Sequence, residues 1–117
     1  MNGFGPYVRG RREALRQADR RFSVRQVAAR AGIEPAYLSK IERAEVAPPS
    51  EATIRRLASE LGEDADVLLA MAGKVSTDLQ AIIREHPALF GQLIRELKGA
   101  PADAILRVVR EVRDGDW

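Results

Sequence analysis

The chain has 117 residues, 45% of them apolar, with 19 Lys and Arg against 17 Asp and Glu, which describes one globular domain, or one with a tail, rather than a disordered chain. Its longest apolar run, Val67 to Ala72, is six residues, it has no cysteine, and its N-terminal stretch carries Arg9, Arg11 and Arg12; a membrane span (about 20 apolar residues) within it, a disulfide and a thiolate zinc site are excluded, and a soluble, cytoplasmic protein without a secretory leader is expected. The net charge of +2 hides an asymmetry of +6 over residues 1–43 and −4 over 44–117, so the front half is either a polyanion-binding module or an arginine-rich solvated surface.

Helices are predicted almost throughout, and no segment alternates with period two beyond a few residues, so the fold class is all-α. Residues 4–18 form a first helix with Phe4, Val8 and Leu15 on one face, Pro6 in the first turn and Gly10 weakening it. Residues 19–22 read as a loop. Ser23 caps a second helix, 24–31, with Val24, Val27, Ala28 and Ala31 facing inward, and Gly32 stops it. Pro35 opens a third helix, 35–43. The stretch 44–50, with Pro48 and Pro49, is a loop. Ser50 caps a fourth helix whose Ile54, Leu57, Ala58 and Leu61 share one face, and Gly62 ends it. Residues 64–72 make a short fifth helix, ended by Gly73. Three more follow. One is capped by Ser76 or Thr77 and carries Leu79, Ile82 and Ile83. The next carries Leu89, Phe90, Leu93, Ile94 and Leu97. The last starts at Pro101 and carries Ile105, Val108, Val109 and Val112. The expected organisation is a first domain, 1–74, and a helical segment, 75–117.

The sharpest pattern lies between Ser23 and Arg43. A helix-turn-helix joins two short helices through a turn of about three or four residues. It needs a small residue where the helices meet, a glycine at the turn, and apolar residues where the second helix faces the core. Ala28 is the small residue, Gly32 makes the turn and Ile33 plugs the corner. Val27 and Ala31 face inward from one helix, Leu38 and Ile41 from the other. An ordinary helical hairpin would not require all these positions together with the caps and the basic flank.

The run Ser23 to Arg43, and most of all Tyr37-Leu38-Ser39-Lys40-Ile41-Glu42-Arg43, resembles the phage-repressor-like helix-turn-helix family, the Cro/C1 or XRE type. The resemblance covers residues 4–73. It implies a five-helix DNA-binding domain, followed here by about three amphipathic C-terminal helices. It also implies a sequence-specific transcriptional regulator, a repressor that binds a palindromic operator in double-stranded DNA as a homodimer.

Three features depart from the family. The turn at 17–22 is longer. Val24 stands where the best-known phage members carry a phosphate-binding glutamine, so that contact is absent or moved. Glu34 stands where Ser or Thr commonly caps the recognition helix. Its carboxylate suits the helix dipole but repels phosphate, so it is expected to turn from the DNA backbone or accept from a cytosine amino group.

Pro35, Ala36, Tyr37, Ser39 and Lys40 are the base-reading candidates, because the early residues of such a helix reach base edges in the major groove. Ala36 can touch a thymine methyl, Ser39 can donate or accept, and Lys40 can donate to guanine. Tyr37 either bonds a phosphate or packs as a half-buried residue. With no Asn, Gln or Arg at 35–40, backbone contacts and DNA shape carry much of the specificity. Arg9, Arg16, Arg25, Arg30 and Arg43 are phosphate candidates. Arg12, four residues after Val8 and three before Leu15, lies on the inward side of the first helix. The resemblance implies an internal ion pair between Arg12 and Glu42; the alternative is a DNA-facing arginine.

The last three helices hold 13 large apolar positions, too small a piece for a stable core of its own. Leu89, Phe90, Leu93, Ile94, Ile105, Val109 and Val112 are therefore candidates for a homodimer interface. One rival reading is an antitoxin or adaptor whose tail binds a protein encoded nearby, such as a metallopeptidase. Another is non-specific nucleoid binding. No enzyme is expected: His86, the one histidine, beside Glu85 makes neither a triad nor a metal site, and no glycine-rich phosphate loop is present. No cofactor or metal is expected.

Overall fold

The computed structural model describes residues 3–115. Among them are eight helices and no strand: α1 Phe4–Arg16, α2 Val24–Ala31, α3 Pro35–Glu42, α4 Glu51–Leu61, α5 Ala65–Met71, α6 Thr77–Glu85, α7 Pro87–Leu97 and α8 Ala102–Asp114. None is long and apolar enough to cross a membrane. The described chain divides into two compact units between Thr77 and Asp78, three residues beyond the expected boundary.

The helix starts in the first unit follow the expected hydroxyls, and Asp64, expected inside the fifth helix, is its cap. Ser23 Oγ accepts from the Gln26 N–H, Ser50 Oγ from Thr53, and the Asp64 side chain from Asp66 and Val67. Each satisfies a backbone donor that has no partner inside its own helix. α1 stops two residues short of the expected end, and the expected loop at 19–22 contains a 3-10 turn, Arg20–Phe22, in which Asp19 accepts from the Arg21 N–H. The second unit departs at its entry. Neither hydroxyl proposed as a cap is used that way: Ser76 Oγ is buried without a hydrogen bond, and Thr77 Oγ1 donates to Glu51 at 2.9 Å. Thr77 is already the first residue of the helix, and Glu51, with its two acceptor oxygens, also takes the Thr77 N–H at 3.1 Å.

The helix-turn-helix corner closes at Gly32, which lies at φ 72°. Its left-handed conformation lets the Ile33 N–H reach the Ala28 carbonyl at 3.0 Å, closing the helix end as a Schellman turn. The same closure follows α3, where the Glu45 N–H reaches the Lys40 carbonyl at 2.9 Å. There the left-handed residue is Ala44, at φ 58°, an alanine in a conformation that glycine adopts without steric cost.

Thirteen apolar side chains are buried among the described residues, all of them in α1 to α5: Phe4 and Val8 from the first helix, Val27, Ala28 and Ala31 from the second, Leu38 and Ile41 from the third, and six from the last two. Leu15, Val24 and Ile33 pack partly buried against them. α1 crosses α3 at Gly5, so tightly that a Cβ there would fall on the Ile41 carbonyl oxygen and lie 3.2 Å from that of Glu42. In α6, α7 and α8 no residue is buried.

Candidate nucleic-acid interface

The third helix has a locked side and an open side. Leu38 and Ile41 are buried in the core. Pro35, Ala36, Tyr37 and Lys40 are exposed, and Ser39 is half-buried. Pro35 takes the first helical position, where its missing N–H costs nothing. Glu34 is the N-cap residue, exposed, and makes no capping hydrogen bond through its side chain. Tyr37 stands at 37% exposure, its ring at the rim of the open face.

Two long-range contacts hold the helix in place. Arg12 Nε donates to one Glu42 oxygen at 2.7 Å and a terminal guanidinium nitrogen donates to the other at 2.9 Å. This is the bidentate geometry that a planar guanidinium and a carboxylate share. The remaining terminal nitrogen donates to the Phe22 carbonyl at 3.1 Å, tying the 3-10 turn to the same point. Both side chains are almost fully buried, and the hydrogen bonds that Arg12 donates to Glu42 raise the Arg12 pKa above its ordinary value. The pair joins α1 to the last turn of α3. At the other end of the motif, Arg56 of α4 donates to the Ala31 carbonyl at 3.2 Å, beside the turn.

Most arginines of the basic front half already hold an anion. Arg9 donates to Glu13 at 3.0 Å and Arg43 to Glu45 at 2.9 and 3.1 Å. Arg11 pairs with Glu63, and Arg21 with Asp19, whose carboxyl is held down at about 2 by hydrogen bonds from Arg21. Arg30 pairs with Glu60, donates to the Arg21 carbonyl and lies over the Phe22 ring at 5.4 Å. Two of these partners, Glu60 and Glu63, lie 30 and 52 residues along the chain from their arginines, so folding brings acidic groups of the rear half back onto the basic front. Arg16, Arg20 and Arg25 make no ion pair among the described residues.

Arg9, Arg43 and Ser39 come together at one place. With Arg12, Val24 and Glu42 they line a cavity of about 150 Å³ between α1, α2 and α3. Arg16, Arg25 and Arg30 do not line it. Residue patterns did not flag Gly5, Arg56 or Glu45. Gly5 sits inside a helix, where glycine carries no periodic signal, and the other two act through contacts at distant or turn positions.

In the second unit, Leu89 is 65% exposed, Val112 62%, Ile94 59% and Val109 49%; Leu93 and Ile105 are less open and Phe90 is half-buried. Six of the seven are thus exposed large hydrophobics.

The helix-turn-helix domain family matches residues 4–71, the span of α1 to α5. The chain is also similar to RghRB of Bacillus subtilis (strain 168), described as an uncharacterized HTH-type transcriptional regulator, with 37% identity over 75 residues. That alignment covers 64% of this chain and 50% of the relative, so the chain spans about half the length of the curated protein it matches. No solved structure matches.

Proposed function

The chain belongs to the XRE-type helix-turn-helix family, and from that premise we propose that it is a sequence-specific transcriptional regulator, a cytoplasmic repressor that binds a palindromic operator as a homodimer. The observation that carries this reading is the two-sided third helix: a face of Pro35, Ala36, Tyr37, Ser39 and Lys40 left open while the other face is held by the core and by Arg12–Glu42. A reading helix must present small and polar groups to base edges and must not move when it does so. The name of the similar RghRB, a transcriptional regulator, supports the same reading. In this reading Lys40 donates to guanine, Ala36 contacts a thymine methyl, and arginines of α1 and α2 position the backbone. The apolar face of the second unit joins two copies, so that two half-sites about one helical turn apart are occupied together.

Selection of bound duplexes from a random DNA pool tests the proposal. A site with two-fold symmetry is expected. Lys40→Ala and Ser39→Ala should then each weaken binding to that site by about 1–3 kcal/mol without changing the melting temperature. Binding with no sequence preference would point to a nucleoid-type protein, and no enrichment at all would overturn the reading. The open apolar face of α7 and α8 also favours a second reading, an adaptor or antitoxin that binds a partner protein through its tail and uses DNA to regulate its own operon. A full-length chain that stays monomeric on the selected DNA would favour that one.

A further inference from the structure

The cavity at the foot of the third helix is rimmed by two guanidiniums, and each already holds a carboxylate. We infer that Glu13 and Glu45 stand in for DNA phosphate on Arg9 and Arg43, so that binding proceeds by exchange of ion pairs at this rim. The inference rests on the proposed DNA-binding reading and assigns a regulatory role to two acidic residues within it.

Geometry carries the argument. Arg9, Arg43 and the Ser39 hydroxyl line one cavity of about 150 Å³ beside the open face of α3. Its buried floor is Arg12 with Glu42, joined by two short bonds, and a terminal nitrogen of Arg12 also lies 3.9 Å from Glu13. The rim arginines are therefore the cations left to meet an anion there. Both are half-exposed, and so are their carboxylate partners. Ion pairs this exposed are worth little, because water solvates the separated charges nearly as well. A DNA phosphodiester carries one negative charge and two non-bridging acceptor oxygens, as a carboxylate does, so exchanging one for the other on an exposed guanidinium is correspondingly cheap. Each carboxylate is also placed by backbone structure. Glu13 lies one helical turn beyond Arg9, and Glu45 is set beside Arg43 by the left-handed turn at Ala44 and the bond from its N–H to the Lys40 carbonyl. Glu45 further feels the charge of Lys40, the base-reading candidate, which together with Arg43 lowers its pKa. The same carboxylate thus faces a phosphate candidate and a base-reading candidate. Left in place on bound DNA it would repel the backbone, so it must leave its arginine as phosphate arrives.

A double-mutant cycle on the selected duplex tests this, using the full chain and checking each variant's helicity by circular dichroism. Glu45→Gln should tighten binding about two- to five-fold, the worth of an exposed ion pair. In an Arg43→Gln background the same change should give no gain, because the carboxylate acts through that arginine. Glu13→Gln should behave likewise, with its gain lost in an Arg9→Gln background. A gain of equal size with and without the arginine would mean that a negative charge is merely being removed near DNA, and would overturn the inference. So would the absence of any gain in a chain that binds its site. A wild-type chain that selects no DNA overturns instead the reading beneath, and this inference falls with it.

Discussion

The two units are built from similar helices and end in different states. α8 is more sharply one-sided than any of α1 to α4, yet it buries nothing, while the first unit hides thirteen apolar side chains among the described residues. One-sidedness says that a helix has an inner face and does not say which molecule supplies the other half. In the first unit five helices surround one another, and a buried ion pair, a close helix crossing and glycine-closed ends add direction to the packing. In the second, three helices of 9, 11 and 13 residues are too few to enclose a core.

The difference can be attacked first at the buried pair. Arg12→Ala leaves Glu42 without its partner in the core and should cost about 3–5 kcal/mol, seen as an earlier midpoint in urea unfolding. A loss under 1 kcal/mol would mean that water reaches the site and that the pair does not organise the unit. Gly5→Ala comes next. The new methyl group must displace either α1 or the end of α3, since backbone oxygens cannot swing aside, and overpacking of this kind costs about 1–3 kcal/mol. Unchanged stability would show that the crossing gives way freely. Ala44→Gly runs in the opposite direction: it relieves a left-handed alanine and should raise stability by about 1 kcal/mol, less whatever glycine's freedom adds to the unfolded chain. Val109→Asp is the counterpart in the second unit. The side chain is already half-exposed, so the melting of the first unit should move by no more than about 0.5 kcal/mol, while sedimentation should shift from dimer to monomer. A loss of stability like that of Arg12→Ala would mean that α8 belongs to the core of the first unit.

Much of the first unit is legible in order along the chain. Ser23 and Ser50 announce helix starts because their side chains reach N–H groups three residues away. Gly32 announces the turn because only a residue without Cβ takes φ 72° freely. The buried members of α2 and α3 follow from their spacing. Other features are illegible for the matching reason. Ala44 adopts the glycine conformation without being glycine. Ser76 and Thr77 look like caps but meet Glu51 or nothing, because a residue 26 positions away sits beside them.

The charge pattern separates the two levels most clearly. The amino-acid order alone determined eight helices, their inner faces, the helix-turn-helix pair and a front half rich in arginine, because each depends on neighbours a few positions apart. Tertiary structure alone decided which arginines are taken. Arg30 finds Glu60 and Arg11 finds Glu63 across 30 and 52 residues, whereas the Arg12–Glu42 pair is already implied by the resemblance of the sequence. It also decided that Arg9, Ser39 and Arg43 share one cavity. Electrostatic pairing acts over a few ångströms of space regardless of distance along the chain, so the +6 of the front half is a property of the sequence, and which of its cations are left unpaired is a property of the fold.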